Sequence, residues 1–127
     1  MRFLAVILCA FTASCSVMMG HEPVAGWPQL EIVEHHVPHS QMRDRCAKYV
    51  AFGSSPEACA EFDLANLKCH LWFSADFPPQ PFIVEHERLH CAGYDHAGST
   101  NMAAYLKYWE ASQATAATSS AAAGASR

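Results

Sequence analysis

The chain predicts an α+β domain: a small antiparallel or mixed sheet packed on one functional helix and stapled by disulfides. Three observations carry this. Apolar residues alternate with period two in Leu30-Glu31-Ile32-Val33-Glu34 and in later short runs. Between and after those runs the apolar spacing changes to the helical 3.6. Six cysteines and eight histidines crowd into 127 residues, a composition that suits a small domain held by cross-links.

The elements follow in order. The first strand covers 30–34. Ser40 is placed to cap a helix over 41–52, with Met42, Cys46, Tyr49 and Val50 on one side. Residues 58–62 and 67–73 read as two strands joined by a short turn containing Asp63 and Asn66. The strand 67–73 is the candidate edge for an extended peptide. Pro78, Pro79 and Pro81 interrupt the chain before a helix over 82–92, docked by Phe82-Ile83-Val84, and Gly93 is placed to end it. A last helix starts near Ser99 or Thr100, and Met102, Tyr105, Leu106 and Trp109 form its buried stripe.

Residues 29–110 thus make up the domain, about 80 residues, a size at which a core usually needs staples. Residues 15–28, with Gly20, Pro23, Gly26 and Pro28, read as a flexible tether. Residues 111–127 are a low-complexity Ala/Ser/Thr tail with no apolar stripe, expected to be disordered in its distal part.

Composition narrows the function. A net charge of -4 with only 8 basic residues argues against a nucleic-acid face and against a polybasic membrane peptide. Met1 and Arg2 precede the apolar run 3–11, too short for the roughly 20 residues of a membrane span but suited to an export signal covering 1–14. Its end, Thr12-Ala13-Ser14-Cys15, resembles the lipobox of bacterial lipoproteins, an ordinary secretory signal being the alternative. That resemblance implies lipid on Cys15. With Ser16 following in place of Asp, it also implies the outer membrane. In an exported chain Cys46, Cys59, Cys69 and Cys91 read as two disulfides, with three pairings open. No C-x-x-C pair stands to make a redox site or zinc ribbon.

One constellation carries chemistry: His86-Glu87-Arg88-Leu89-His90-Cys91-Ala92-Gly93-Tyr94-Asp95-His96. Histidines four apart on a helix share a face, so their imidazoles converge. Glu87 adjoins the first, where a carboxylate can act as general base. Gly93 lets the chain leave the helix in a left-handed conformation, and His96 can then return as a third nitrogen ligand. Three ligands and one open position describe a catalytic metal site, whereas a structural site is closed by a fourth. Chance fills all five positions in about 1 in 10,000 chains of this composition, so the arrangement is read as a site and not as incidental histidines.

The pattern H-E-x-x-H-x-x-G-x-x-H resembles the zinc-binding signature of the metzincin metallopeptidases. The resemblance implies a minimal zincin-like domain, one Zn2+ held by His86, His90 and His96, Glu87 as general base, and Met102 as a candidate methionine turn beneath the metal. Met102 also fits the core stripe of the last helix. Glu110, twenty residues past His90, is a rival third ligand by its similarity to the spacing in thermolysin-like enzymes. Asp95 or Glu110 is a candidate hydrogen-bond partner for a ligand imidazole.

Other residues read more plainly: His35, His36 and His39 as a solvated loop, His70 as surface, and Trp72-Phe73 as core. The leading expectation is a zinc metallopeptidase, a membrane-anchored monomer acting on a peptide or protein substrate. The alternatives are a non-catalytic, zinc-stabilised lipoprotein that binds a partner, and an amidase acting on cell-wall peptides.

Overall fold

The computed structural model describes residues 20–49 and 56–124. The leader 1–14, Cys15, the start of the tether, the end of the helix expected over 41–52 (with Val50) and residues 125–127 lie outside the described residues. The described elements are β1 (His21–Pro23), β2 (Glu31–Val37), α1 (His39–Cys46), a 3-10 turn (Ala47–Tyr49), β3 (Ala58–Asp63), β4 (Lys68–Ser74), α2 (Pro81–Cys91), β5 (Tyr94–His96) and α3 (Asn101–Gly124). This is an α+β architecture with two small sheets.

The larger sheet has the order β2-β4-β3, with β4 parallel to β2 and antiparallel to β3. The strand expected to be the edge, 67–73, is therefore the centre, and β3 and β2 are the edges. The β3–β4 hairpin turns through Asp63, whose carboxylate accepts the Asn66 backbone N–H and side-chain amide at 3.1 and 2.8 Å. β2 outruns its expected 30–34 because it pairs with β4 from Glu31↔Lys68 to Val37↔Ser74. Those added pairs carry His35 and His36 in the strand, not in a loop.

Strand alternation divides the core. Ala58, Ala60, Cys69, Leu71 and Phe73 face α2 and pack with Cys91, Ile83 and Val84. The opposite face presents Cys59 and Trp72 to Met42 and Cys46 of α1. Cys59 and Cys69 thus point to opposite faces, and each staples a different helix: Cys46–Cys59 ties α1 to β3, and Cys69–Cys91 ties the end of α2 to β4. Closing loops of 13 and 22 residues, each bridge contributes about 3 kcal/mol on chain-entropy grounds.

Helix α1 begins two residues before its expected start. Pro38 takes the cap position at φ -52, and the first-turn amide of His39 donates to Asp76 Oδ2 at 2.8 Å, so Ser40 is not needed as a cap. Helix α2 carries Pro81 in its first turn. Its end is set by Gly93, at φ +91, with the Gly93 N–H bonded to the His90 carbonyl.

Both ends of the domain differ from expectation. Residues 20–28 are docked, not a free tether: β1 pairs antiparallel with β5, placing His21 opposite His96. Trp27 packs edge-on to Phe62 and donates its indole N–H to the Cys91 carbonyl at 3.3 Å. At the other end, α3 continues to Gly124 through the stretch expected to be disordered. Alanine is the strongest helix former, and the Thr115, Thr118 and Ser119 hydroxyls bond to carbonyls one turn back. Met102 and Leu106 anchor the start of α3 in the core; from Glu110 to Ser120 it is exposed. Among the described residues no helix is long and apolar enough to cross a membrane.

Candidate metal centre

Helix α2 presents His86 and His90 one turn apart, their Nε2 atoms 3.2 Å from each other. The Gly93 turn reverses the chain into β5, which returns His96 with its Nε2 also 3.2 Å from that of His86. Strand β1 adds a fourth histidine. The ring of His21 lies 4.7 Å from that of His86 and 5.3 Å from that of His96. One ligand atom from each of His21, His86, His90 and His96 can be chosen so that all lie within 4.8 Å of one another. These four side chains form a group able to hold a metal ion.

The residues present fit such an ion. Nitrogens at 2.0–2.1 Å from a tetrahedral zinc stand about 3.4 Å apart, close to the observed 3.2 Å. Both ring nitrogens of His21 are buried with no hydrogen-bond partner, a cost of about 1–3 kcal/mol per group, and a metal bond to one of them removes its share. His90 is oriented by its Nδ1–H, which donates to the Tyr94 carbonyl at 2.7 Å and leaves Nε2 free to ligate. Burial, followed by the neighbouring histidines, pulls His86 down to about 4. Burial also lowers His90, against the opposing pull of the Tyr94 carbonyl. Neutral imidazole is the form that binds metal.

Glu87 lies on α2 between the two helix ligands and lines the same cleft. Burial pushes its carboxyl up to about 7, opposed by a hydrogen bond with the Ala60 backbone of β3. The cleft has a volume of about 780 Å3 and is bounded by Ala58, Ala60 and Phe62 of β3, by the three motif histidines and by Met102. An edge strand therefore forms one wall, and the histidine cluster forms the floor.

Asp95, the middle residue of β5, is nearly fully buried. Burial alone would raise its carboxyl, but the N–H of Met102, the hydroxyl of Ser99 and the N–H of His96 outweigh it and hold the group below its usual range. Those three donors lie at 2.8–2.9 Å. The expected bond from Asp95 to a ligand imidazole is absent, since its Oδ1 stands 3.8 Å from His96 Nδ1. Asp95 instead fixes the backbone that presents His96 and starts α3. Met102 is buried in the first turn of α3 and also borders the cleft. Glu110 is exposed on α3 and outside the histidine group, because the helix has left the core by that position.

The remaining histidines are not the loop cluster expected. His35 on β2 reaches across to His70 on β4, Nε2 to Nδ1 at 2.8 Å, and stacks on Trp72 at 4.1 Å. His39 opens α1.

Sequence reasoning missed His21. It lies in a Gly- and Pro-containing stretch without periodicity, and only its pairing across β5 brings it to the cluster. The position opposite His96 is a long-range register that no local pattern announces.

Compared with known proteins, the chain matches no family model, no curated protein and no solved structure.

Proposed function

We propose that the chain is a zinc-dependent metallopeptidase on a minimal zincin-like domain. The observation that carries this is the convergence of His86, His90 and His96 with Glu87 on one cleft walled by the edge strand β3. His86, His90 and His96 would hold the ion. Bound zinc supplies a Lewis acid for the scissile carbonyl and lowers the pKa of water towards about 7. Glu87 takes up the proton of the attacking water and returns it to the leaving amine. An extended peptide would lie along the edge strand β3, which aligns its carbonyl over the histidines. Phe62 and Met102 exclude solvent from that position.

The two disulfides place the chain in an oxidising, exported setting. On the lipobox resemblance, a lipid on Cys15 tethers the domain, as a monomer, to the outer membrane.

A second reading is favoured by one observation, the fourth histidine. A closed site of four imidazoles is the form of a structural zinc centre, and it suits a non-catalytic, zinc-stabilised lipoprotein that binds a partner. Glu87→Ala separates the two. For a peptidase, the variant keeps one zinc per chain, and peptide hydrolysis falls by at least about 100-fold. Zinc-loaded wild-type protein and its His21→Ala variant that both cleave nothing in a diverse peptide library sink the peptidase reading.

A further inference from the structure

We infer that β1 is a strap that completes the metal centre, with His21 as the fourth ligand, and that a coordination position opens only when β1 unpairs from β5. This rests on the peptidase reading for its consequence in hydrolysis, but its structural content stands apart from that reading.

Three features point to His21 as a ligand. Its ligand atom belongs to the same close group as those of the motif histidines. Both of its ring nitrogens are buried and unpartnered, although a histidine on a short surface strand could readily turn to water. Its ring meets all three other imidazoles, with centroids between 4.7 and 5.4 Å.

The attachment of β1 is local and weak enough to be reversible. The ladder has only three pairs, His21↔His96, Glu22↔Asp95 and Pro23↔Tyr94, and Pro23 donates no hydrogen bond. Flanking bonds run from the Ala97 N–H to the Gly20 carbonyl and from the Val24 N–H to the Gly93 carbonyl. The firm anchor is Trp27, seated on Gly93 and Phe62. It hinges the segment on the side away from His21. Residues 20–23 can therefore lift while 24–28 stay docked, uncovering one coordination position: β5 loses its ladder partner, but the Asp95 bonds to Ser99 and Met102, α2 and the disulfides remain. A ligand that enters through the cleft competes with His21 for the fourth coordination position, so the strap lowers apparent affinity by the fraction of time it is closed.

The test loads the full-length protein and its His21→Ala variant with Co2+ and titrates acetohydroxamate as an added ligand, reading the visible d–d bands. The expected result is a wild-type spectrum of four nitrogens that resists the hydroxamate. The variant retains one cobalt per chain and responds at a concentration lower by at least about tenfold. Equal response in the two proteins overturns the strap, and so does loss of stoichiometric cobalt from the wild type. A Trp27→Ala variant, which keeps His21 but frees its anchor, is expected to fall between the two, and a response no easier than wild type places the hinge elsewhere and overturns it. Peptide hydrolysis is read in parallel with zinc. A site opened in His21→Ala without hydrolysis refutes the peptidase and leaves the strap standing. Equal hydrolysis by both proteins refutes the strap and leaves the peptidase standing.

Discussion

Replacing Gly93 by alanine isolates what the turn after α2 does. Gly93 sits at φ +91, and a Cβ there would meet Trp27 Cδ1, Cγ and Cβ at 2.6, 2.7 and 2.8 Å. The backbone term alone costs about 1–2 kcal/mol for an L residue in the left-handed region. The contact with Cβ of Trp27 cannot be relieved by rotating the ring, so the residue itself must move. It then gives up its hydrogen bond to Cys91, about 1 kcal/mol, and its edge-on contact with Phe62, about another 1 kcal/mol. The total is about 3–4 kcal/mol. Gly98 supplies the control, because it also has a left-handed φ of +78 but no atom within 4 Å of the added Cβ. Gly98→Ala therefore carries only the backbone term, about 1–2 kcal/mol. Urea unfolding followed by far-UV circular dichroism, with disulfides intact and a chelator present, measures both. With a slope near 1 kcal/mol per molar, Gly93→Ala unfolds at about 2 M less urea than Gly98→Ala. Midpoints that agree within about 0.5 M would refute the docking of Trp27 on the turn.

The remaining expectations concern the site and its supports. Zinc content by mass spectrometry is one per chain in the wild type and in Glu110→Ala, and is lost in His86→Ala or His96→Ala; loss in Glu110→Ala instead would restore that residue as a ligand. Chelation lowers stability by about 4 kcal/mol relative to zinc held at a thousand times its dissociation constant, seen as a fall in Tm. Replacing Cys69 and Cys91 together by serine costs about 3 kcal/mol and weakens zinc binding, because that bridge fixes the end of α2. Replacing Cys46 and Cys59 costs a similar amount and leaves zinc affinity within about twofold. Burial, then His70 and Arg45, holds His35 below its ordinary 6.5. The unfolded chain thus takes up that proton more readily, and this stabilising contribution, complete above pH 6.5, is lost as the pH falls towards the folded value. Proton NMR titration of His70→Ala is expected to move His35 upward, and an unmoved value would remove His70 as a cause.

What could be read from the sequence and what could not divides by range. The motif from His86 to His96 needs only a helical turn, a glycine exit and a short return, all encoded within eleven residues, and the structure brings its three histidines together. Strands 58–62 and 67–73 were legible for the same reason, since period two is local. The position of β4 at the centre of the sheet was not, because parallel pairing with β2 is set across α1 and β3. The split of the cysteines was recoverable only once the register was known: Cys59 lies opposite Trp72, and Cys69 opposite Phe62, so the two cysteines face opposite sides of the sheet. The tail was misread because lack of an apolar stripe argues against packing, but not against helix in a run rich in alanine.

His21 shows the limit most sharply, and it bears directly on function. Local reasoning counts three nitrogens and an open position, which describes a catalyst. The fold brings a fourth imidazole from a segment whose glycines and prolines read as a tether, which describes a closed centre. Both descriptions hold if the fourth ligand sits on a detachable element, and β1 has the build for it, with three ladder pairs, a proline at one end and the tryptophan anchor beyond it. A structural zinc site gains from ligands on rigid, independently held elements. Here His86 and His90 are fixed by α2 and the Cys69–Cys91 bridge, and His96, though paired with β1, is also held by the Asp95 network, whereas His21 is held by the strand that could leave. That asymmetry favours a site that opens over one built to stay shut.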